Sequence, residues 1–280
     1  MASTLTTPTA AEAWRPNVVS SFNPDDLLTE ALITRCATRA GNVEGDAPAV
    51  LVPYVANDPE AGFAAEGGEI GLSDVEAAQV QITTNKVAVV TRVSREVVAQ
   101  PGAANRIANS LKRSIIAKAD AAFLNNAIDP TGLLNMSGIP TAGDLGGTAE
   151  PNLFAVYDAV AAIEADGGQA THLLMNPKDW AALSRIPSGT GSNVSVLAGP
   201  HEAAERTLAG VPVIVHAAVA QGKALMLDRS EVVAAYGSMQ LARSDDVFFM
   251  TDSVGIRATW RIGWNIVRPE RLQLLTVGAE

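Results

Sequence analysis

Three histidines, a single cysteine and one glycine-rich run are the residues in this 280-residue chain whose types and spacing could do chemistry. His201-Glu202 with Glu205 sets a His and a Glu at i and i+4. A zinc protease needs a second histidine at the last place, and a glutamate stands there instead. The run reads as the solvated face of a helix over 201–208. His172 and His216 fall at opposite ends of predicted strands, where a packed or hydrogen-bonded imidazole is the common case. Cys36 lies on the apolar face of a predicted helix with no histidine near it in sequence, so it reads as a buried, inert thiol. As the only cysteine it has no partner for an internal disulfide. Gly189-Thr-Gly191-Ser-Asn193 lacks the Lys and Ser/Thr ending of a phosphate-binding loop. No Gly-x-Ser-x-Gly elbow and no dinucleotide fingerprint after a first strand is present. The residues point to no catalytic group, no cofactor and no metal.

Charge is the stronger signal. Residues 40–85 hold eight acids (Glu44, Asp46, Asp58, Glu60, Glu66, Glu69, Asp74, Glu76) and no Lys or Arg. Residues 86–118 hold seven bases (Lys86, Arg92, Arg95, Arg106, Lys112, Arg113, Lys118) against one acid, Glu96. The bland account is two solvated faces of unequal composition. The functional account is an acidic hairpin, with Glu66, Glu69, Asp74 and Glu76 near its tip, docking on Arg92, Arg95, Arg106, Lys112 or Arg113 of another copy.

The elements that must position these charges follow from periodicity. Residues 1–23 show none and read as an arm needing a neighbour to order it, with Trp14 and Phe22 as its anchors. Asn23, Pro24, Asp25 and Asp26 open a predicted helix that carries Leu28, Leu32 and Cys36 on one face and stops at Gly41. Strands over 49–56 and 79–93, with a Gly-rich acidic tip between, predict an extended hairpin. Pro101-Gly102 then breaks the chain before a long helix over 103–127, with Ile107, Leu111, Ile115, Ala119 and Ala122 along one face. A Gly-rich loop follows at 143–147. Beyond it come a helix over 152–165, a strand over 171–175 and a helix over Lys178–Arg185, capped by Asn176-Pro177. Strands over 211–216, 223–228 and 231–236 continue one sheet. A long alternating strand follows, with Val254, Ile256, Ala258, Trp260, Ile262, Trp264 and Ile266 on its apolar face.

Bulk composition is compatible with a large core: hydrophobic residues make up 48 % and charged residues only 18 %, with mean hydropathy +0.15. A net charge of -10 argues against a broad basic surface for gripping nucleic acid. No run of about 18 apolar residues predicts a membrane-spanning helix. The first thirteen residues have no basic residue and no apolar stretch of the signal-peptide kind.

The order of parts resembles the major capsid proteins of tailed bacteriophages, the Hong Kong ninety-seven phage fold. The residues that carry it are Gly132-Leu-Leu-Asn135 with Gly138-Ile-Pro140 after the long helix, and His172-Leu-Leu-Met-Asn-Pro177 with Trp180 and Leu183. Further on come Leu208-Ala-Gly-Val-Pro-Val-Ile214, Ala224-Leu-Met-Leu-Asp228, and Gly255-Ile-Arg257 leading to Arg268-Pro-Glu270. Together these phrases span about 230 of the 280 residues. The resemblance implies an α+β fold with an N-terminal arm and short helix (1–48) and an extended E-loop hairpin (49–93). It further implies a peripheral domain with a long spine helix (94–150 and 238–267) and an axial α/β domain (151–237 and 268–280). It also implies a non-enzymatic shell subunit, assembled in the host bacterial cytoplasm into pentamers and hexamers around double-stranded DNA. Partners would be itself, a portal, a separate scaffolding protein, in some shells decoration proteins, and no membrane. Some relatives cross-link through an E-loop lysine, which 40–85 lacks. An encapsulin-type nanocompartment shell is the alternative on the same fold. A soluble α/β enzyme is the alternative from another class, and it lacks a catalytic constellation.

Overall fold

The computed structural model describes residues 31–41, 49–57, 59, 61, 63, 72, 74–146, 152–189, 192, 195–197 and 206–278. A short helix α1 (Leu32–Cys36) leads into strand β1 (Thr38–Gly41). Strands β2 (Ala49–Asn57) and β3 (Glu76–Thr83) form an antiparallel hairpin, with Val52 opposite Val80 and Tyr54 opposite Ala78. Only Thr84 separates β3 from β4 (Asn85–Ser94), which belongs to a different sheet. One turn of helix, α2 (Arg95–Val98), precedes the spine helix α3 (Ala103–Asn125), which starts after Gly102 in the left-handed conformation.

The second half is mixed α and β. It runs β5 (Thr141–Asp144), α4 (Phe154–Ala165), β6 (His172–Met175), α5 (Pro177–Ser184), β7 (Thr207–Leu208) and β8 (Val211–Val215). Then come β9 (Lys223–Leu227), β10 (Val232–Tyr236), β11 (Gln240–Phe248), β12 (Ser253–Ile266) and β13 (Leu272–Thr276). The side chain of Asn176 accepts the Lys178 N–H at 2.9 Å, so α5 begins where its Asn-Pro cap requires.

β12 organises the five-stranded sheet. One of its edges pairs with β4 over Ser253–Ile262. The other edge pairs with β11 over Ser253–Thr259 and with β10 over Ile262–Ile266, and β1 adds parallel to β10. Period two sends Val254, Ile256, Ala258, Trp260, Ile262 and Trp264 to one face. There they meet Ile107, Leu111, Ile115, Ala119 and Phe123 of α3 in the main core. Each Val, Leu, Ile or Phe side chain among them, once buried, contributes roughly 1.5–3 kcal/mol. Phe123 meets Trp264 edge to face at 5.3 Å. Both indoles have acceptors, Trp264 Nε1 donating to the Thr131 carbonyl at 2.7 Å and Trp260 Nε1 to Gly237 at 2.9 Å.

The six-stranded sheet has the order β5-β13-β9-β6-β8-β7. Leu174, Ile214, Leu225, Leu227 and Leu272 on one face join the same core as α3. Leu173, Met175, Val213, Met226 and Leu275 on the other pack on Ala155, Ala159 and Ile163 of α4. One core therefore runs from the spine helix into this second sheet.

Five sequence expectations need correction. The helix predicted to stop at Gly41 ends at Cys36, and Thr38–Gly41 is a strand, because pairing with β10 satisfies its backbone; its proposed start at Asn23 lies outside the described residues. The alternation read as one strand over 79–93 is two strands in two sheets, broken at Thr84. The strand near 231–236 leaves the second sheet and pairs with β12 and β1 instead of β9. Val232–Tyr236 is apolar throughout, so its pattern names no partner. Residues 143–144 of the expected glycine loop belong to β5, and 207–208 of the expected helix form β7. β1, β5, β7, β11 and β13 carried no pattern strong enough to be read as strands. No helix among the described residues is long and apolar enough to cross a membrane.

Candidate functional site

The charged residues fall on two opposite sides of the spine-helix layer. Strand alternation sends Lys86, Ala88, Val90 and Arg92 of β4 away from α3, and it sends Arg257, Thr259 and Arg261 of β12 the same way. Register sets Arg261 directly opposite Lys86, Arg257 opposite Val90 and Gly255 opposite Arg92. Gln240, Ala242 and Ser244 of β11 complete this face, and none of the residues named on it is acidic. Lys86, Ala88, Val90 and Arg257 are exposed. Arg92 lies over the Phe248 ring at 5.7 Å, and Arg261 donates to the Thr84 hydroxyl at 3.1 Å.

The chain's own hairpin covers the other half of the same face. Ile82 packs with Val233 and Ala235 of β10, flanked by Val50, Val52, Val80 and Val267. Asn265 donates to the Gln81 carbonyl at 2.8 Å, and Arg268 donates to the Val55 carbonyl at 2.6 Å while lying 5.7 Å over the Tyr54 ring. The hairpin thus passes Gly263, Asn265, Val267 and Arg268 in turn, away from the half of β12 that carries the bases. Thr83 lies against Gly263 and Arg92 against Gly255, eight residues along β12 and roughly 26 Å apart. Asp74 and Glu76, both exposed, lie at the outer end of the hairpin, farther still.

The expected bases therefore do not form one patch. Arg106 and Arg113, seven residues apart, share the outer side of α3, with Lys112 half-buried on its flank. Arg95 is tied down within its own chain: its Nε donates to Asp252 Oδ1 at 2.8 Å. Arg257 and Arg261 were missed as site residues. The alternation of 254–266 did carry the signal, since it puts both on the side opposite Trp260 and Trp264. Trp14, Phe22, Glu66, Glu69 and the His201-Glu202-Glu205 run lie outside the described residues.

Little else is arranged for chemistry. Cys36 is buried, and burial pushes its thiol up to about 12, far from a reactive thiolate. Among the described residues no group of three or more His, Cys, Asp or Glu side chains is placed to hold a metal ion. An open cleft of about 460 Å³ at the hairpin root, between Thr83, Asp129, Asn135 and Trp264, holds a single carboxylate among its lining residues and no base.

The sequence matches the phage capsid family over residues 30–277. The chain belongs to that family. Its fold is that of tailed-phage major capsid proteins, and its role is that of a phage capsid subunit. Similar solved structures include a chain of Gordonia phage Cozz, 19 % identical with a TM-score of 0.69 over 89 % of this chain and 87 % of that one. The capsid of an empty GTA particle computed with C5 symmetry is 18 % identical, with a TM-score of 0.73 over 98 % of both chains. A chain of Mycobacterium phage Adephagia is 16 % identical, with a TM-score of 0.71 over 99 % of both. No curated protein matches the sequence.

Proposed function

We propose that this chain is a non-enzymatic shell subunit that self-assembles into pentamers and hexamers around double-stranded phage DNA. Within that shell, the open basic half of its five-stranded sheet receives the acidic hairpin tip of a neighbouring copy. One observation carries the docking reading. The chain's own hairpin covers half of this sheet face and runs away from the half bearing Lys86, Arg92, Arg257 and Arg261. Lys86 directly opposite Arg261 is a like-charged cross-strand pair, unfavourable by itself. An acidic segment laid over the pair relieves that repulsion, and the segment around Glu66, Glu69, Asp74 and Glu76 has the complementary sign. Arg113, exposed on the outer side of α3, faces away from this sheet and is offered to a different partner, the packaged DNA. In this reading a separate scaffolding protein and a portal take part in assembly in the host bacterial cytoplasm, decoration proteins are an optional addition, and Trp14 and Phe22 anchor the arm on a neighbour.

Exposed ion pairs contribute only about 0–1 kcal/mol each, so they bias where the hairpin lands and do not hold the shell alone. Charge reversal tests this. Lys86→Glu with Arg257→Glu, or Glu66→Lys with Glu69→Lys, is expected to lower the yield of closed particles in negative-stain micrographs. All four substitutions together are expected to restore part of it. Unchanged yields in both double variants would show that the hairpin is seated by shape and apolar contact.

A further inference from the structure

Asp120 sits where three parts of the chain meet. It lies in the second half of α3, only 2 % exposed, and its two oxygens face different elements. Oδ1 accepts the Leu32 N–H at 2.9 Å. This caps α1 from 88 residues away, since Ala31 before that helix has no side-chain acceptor. Oδ2 lies 3.5 Å from Nε2 of His216, just past the end of β8. The His216 Nδ1 accepts the Ala218 N–H at 3.2 Å, which leaves the ring proton of the neutral imidazole on Nε2, facing Asp120. Among the described residues, the other ionisable groups around this point are Arg35 and Cys36 on α1, Arg229 between β9 and β10, and His172 on β6, which feels both arginines. Arg229 is taken up by the carbonyls of Ala37 and Thr34, at 3.2 and 3.3 Å.

We propose that Asp120 and His216 form a proton-operated latch joining the N-terminal helix, the spine helix and the six-stranded sheet. Burial holds the Asp120 carboxyl up at about 6. Burial, with Arg35, lowers His216 below its ordinary value. At pH 7 the pair is a buried carboxylate facing a neutral imidazole. A carboxyl whose folded value is raised binds its proton more tightly in the packed junction than in an opened one. Its stabilisation is complete below the ordinary carboxylate range and is lost as pH rises through about 6. His216 works in the opposite sense. Its lowered value makes stabilisation present above the ordinary histidine range and lost as pH falls. The latch therefore loosens toward neutral pH through Asp120, and His216 limits how far acid tightens it.

The test uses the full-length chain from pH 4.5 to 8, following thermal midpoints and hydrogen exchange across α1. The expected result is a difference between wild type and Asp120→Asn that changes with pH around 6. In exchange it reaches up to about a hundredfold in protection of the Leu32 amide. His216→Gln, which keeps Asp120, is expected to gain more on acidification than wild type. Parallel curves for wild type and Asp120→Asn overturn the proposal. Should Asp120→Asn fail to fold, infrared spectra of the wild-type chain decide instead. A protonated buried-carboxyl band growing in around pH 6 supports the latch, and a titration confined to the ordinary carboxylate range overturns it.

Discussion

Glu231 shows how much can rest on one carboxylate. It is buried, and its Oε1 accepts from Arg271 Nη1 at 2.5 Å and Arg268 Nη1 at 3.2 Å. Arg268 continues to the Val55 carbonyl in the hairpin, and Arg271 to the Asp166 carbonyl beyond α4, at 3.0 Å. One side chain thus clamps the outer part of hairpin strand β2, the turn between β12 and β13, and the end of α4. Removing one partner from a buried ion pair leaves the others uncompensated. Glu231→Ala is expected to cost about 3 kcal/mol in urea unfolding. A loss under about 1 kcal/mol would mean that water replaces the carboxylate at both guanidinium groups. Trp260 and Trp264 also act at this scale, as core side chains with satisfied indoles, as their alternation predicts.

The element that decides the molecule's shape is the crossing of the β3–β4 junction over β12. The chain passes from hairpin to sheet within the single residue Thr84, and a Cβ at Gly263 would run into the Thr83 carbonyl. Glycine is needed here for close approach of two backbones, not for a special backbone angle. Gly263→Ala is expected to cost about 1–3 kcal/mol and to raise hydrogen exchange in 76–84, where the hairpin is held to the sheet. Normal stability with unchanged exchange would mean that the crossing has room the backbone positions deny. The same crossing directs the hairpin away from its own bases, which is why the proposed docking calls for a second copy.

For the whole molecule, the proposed assembly sets the expectations. Closed rings need two different patches that meet between copies, and the buried area per subunit should exceed about 2,000 Å², as in obligate interfaces. Residues 40–85 contain no lysine, so boiled shells are expected to release one band at the 29.0 kDa of the monomer. A ladder of covalent oligomers would assign the linking role to another lysine, such as Lys86 or Lys223. Assembly should also weaken as salt shortens electrostatic reach from about 10 Å at 0.1 M to about 3 Å at 1 M. A chain that stays monomeric under all conditions, scaffold included, would sink the shell reading.

The sequence by itself determined the elements whose pattern is both local and long. The spine helix, the fourteen-residue β12, the Asn176-Pro177 start of α5 and the acid-rich and basic segments are legible from periodicity, capping and composition alone. The order of local phrases pointed to the capsid family before any coordinate. Only the tertiary structure decided which strands share a sheet. β10 and β9 are both apolar, so nothing local distinguishes the partner each takes. It alone decided which bases share a face, since that depends on the register between β4 and β12, partners more than 150 residues apart in sequence. It alone brought Asp120 to Leu32 and His216, because a buried polar contact between distant segments leaves no periodic trace in any one of them.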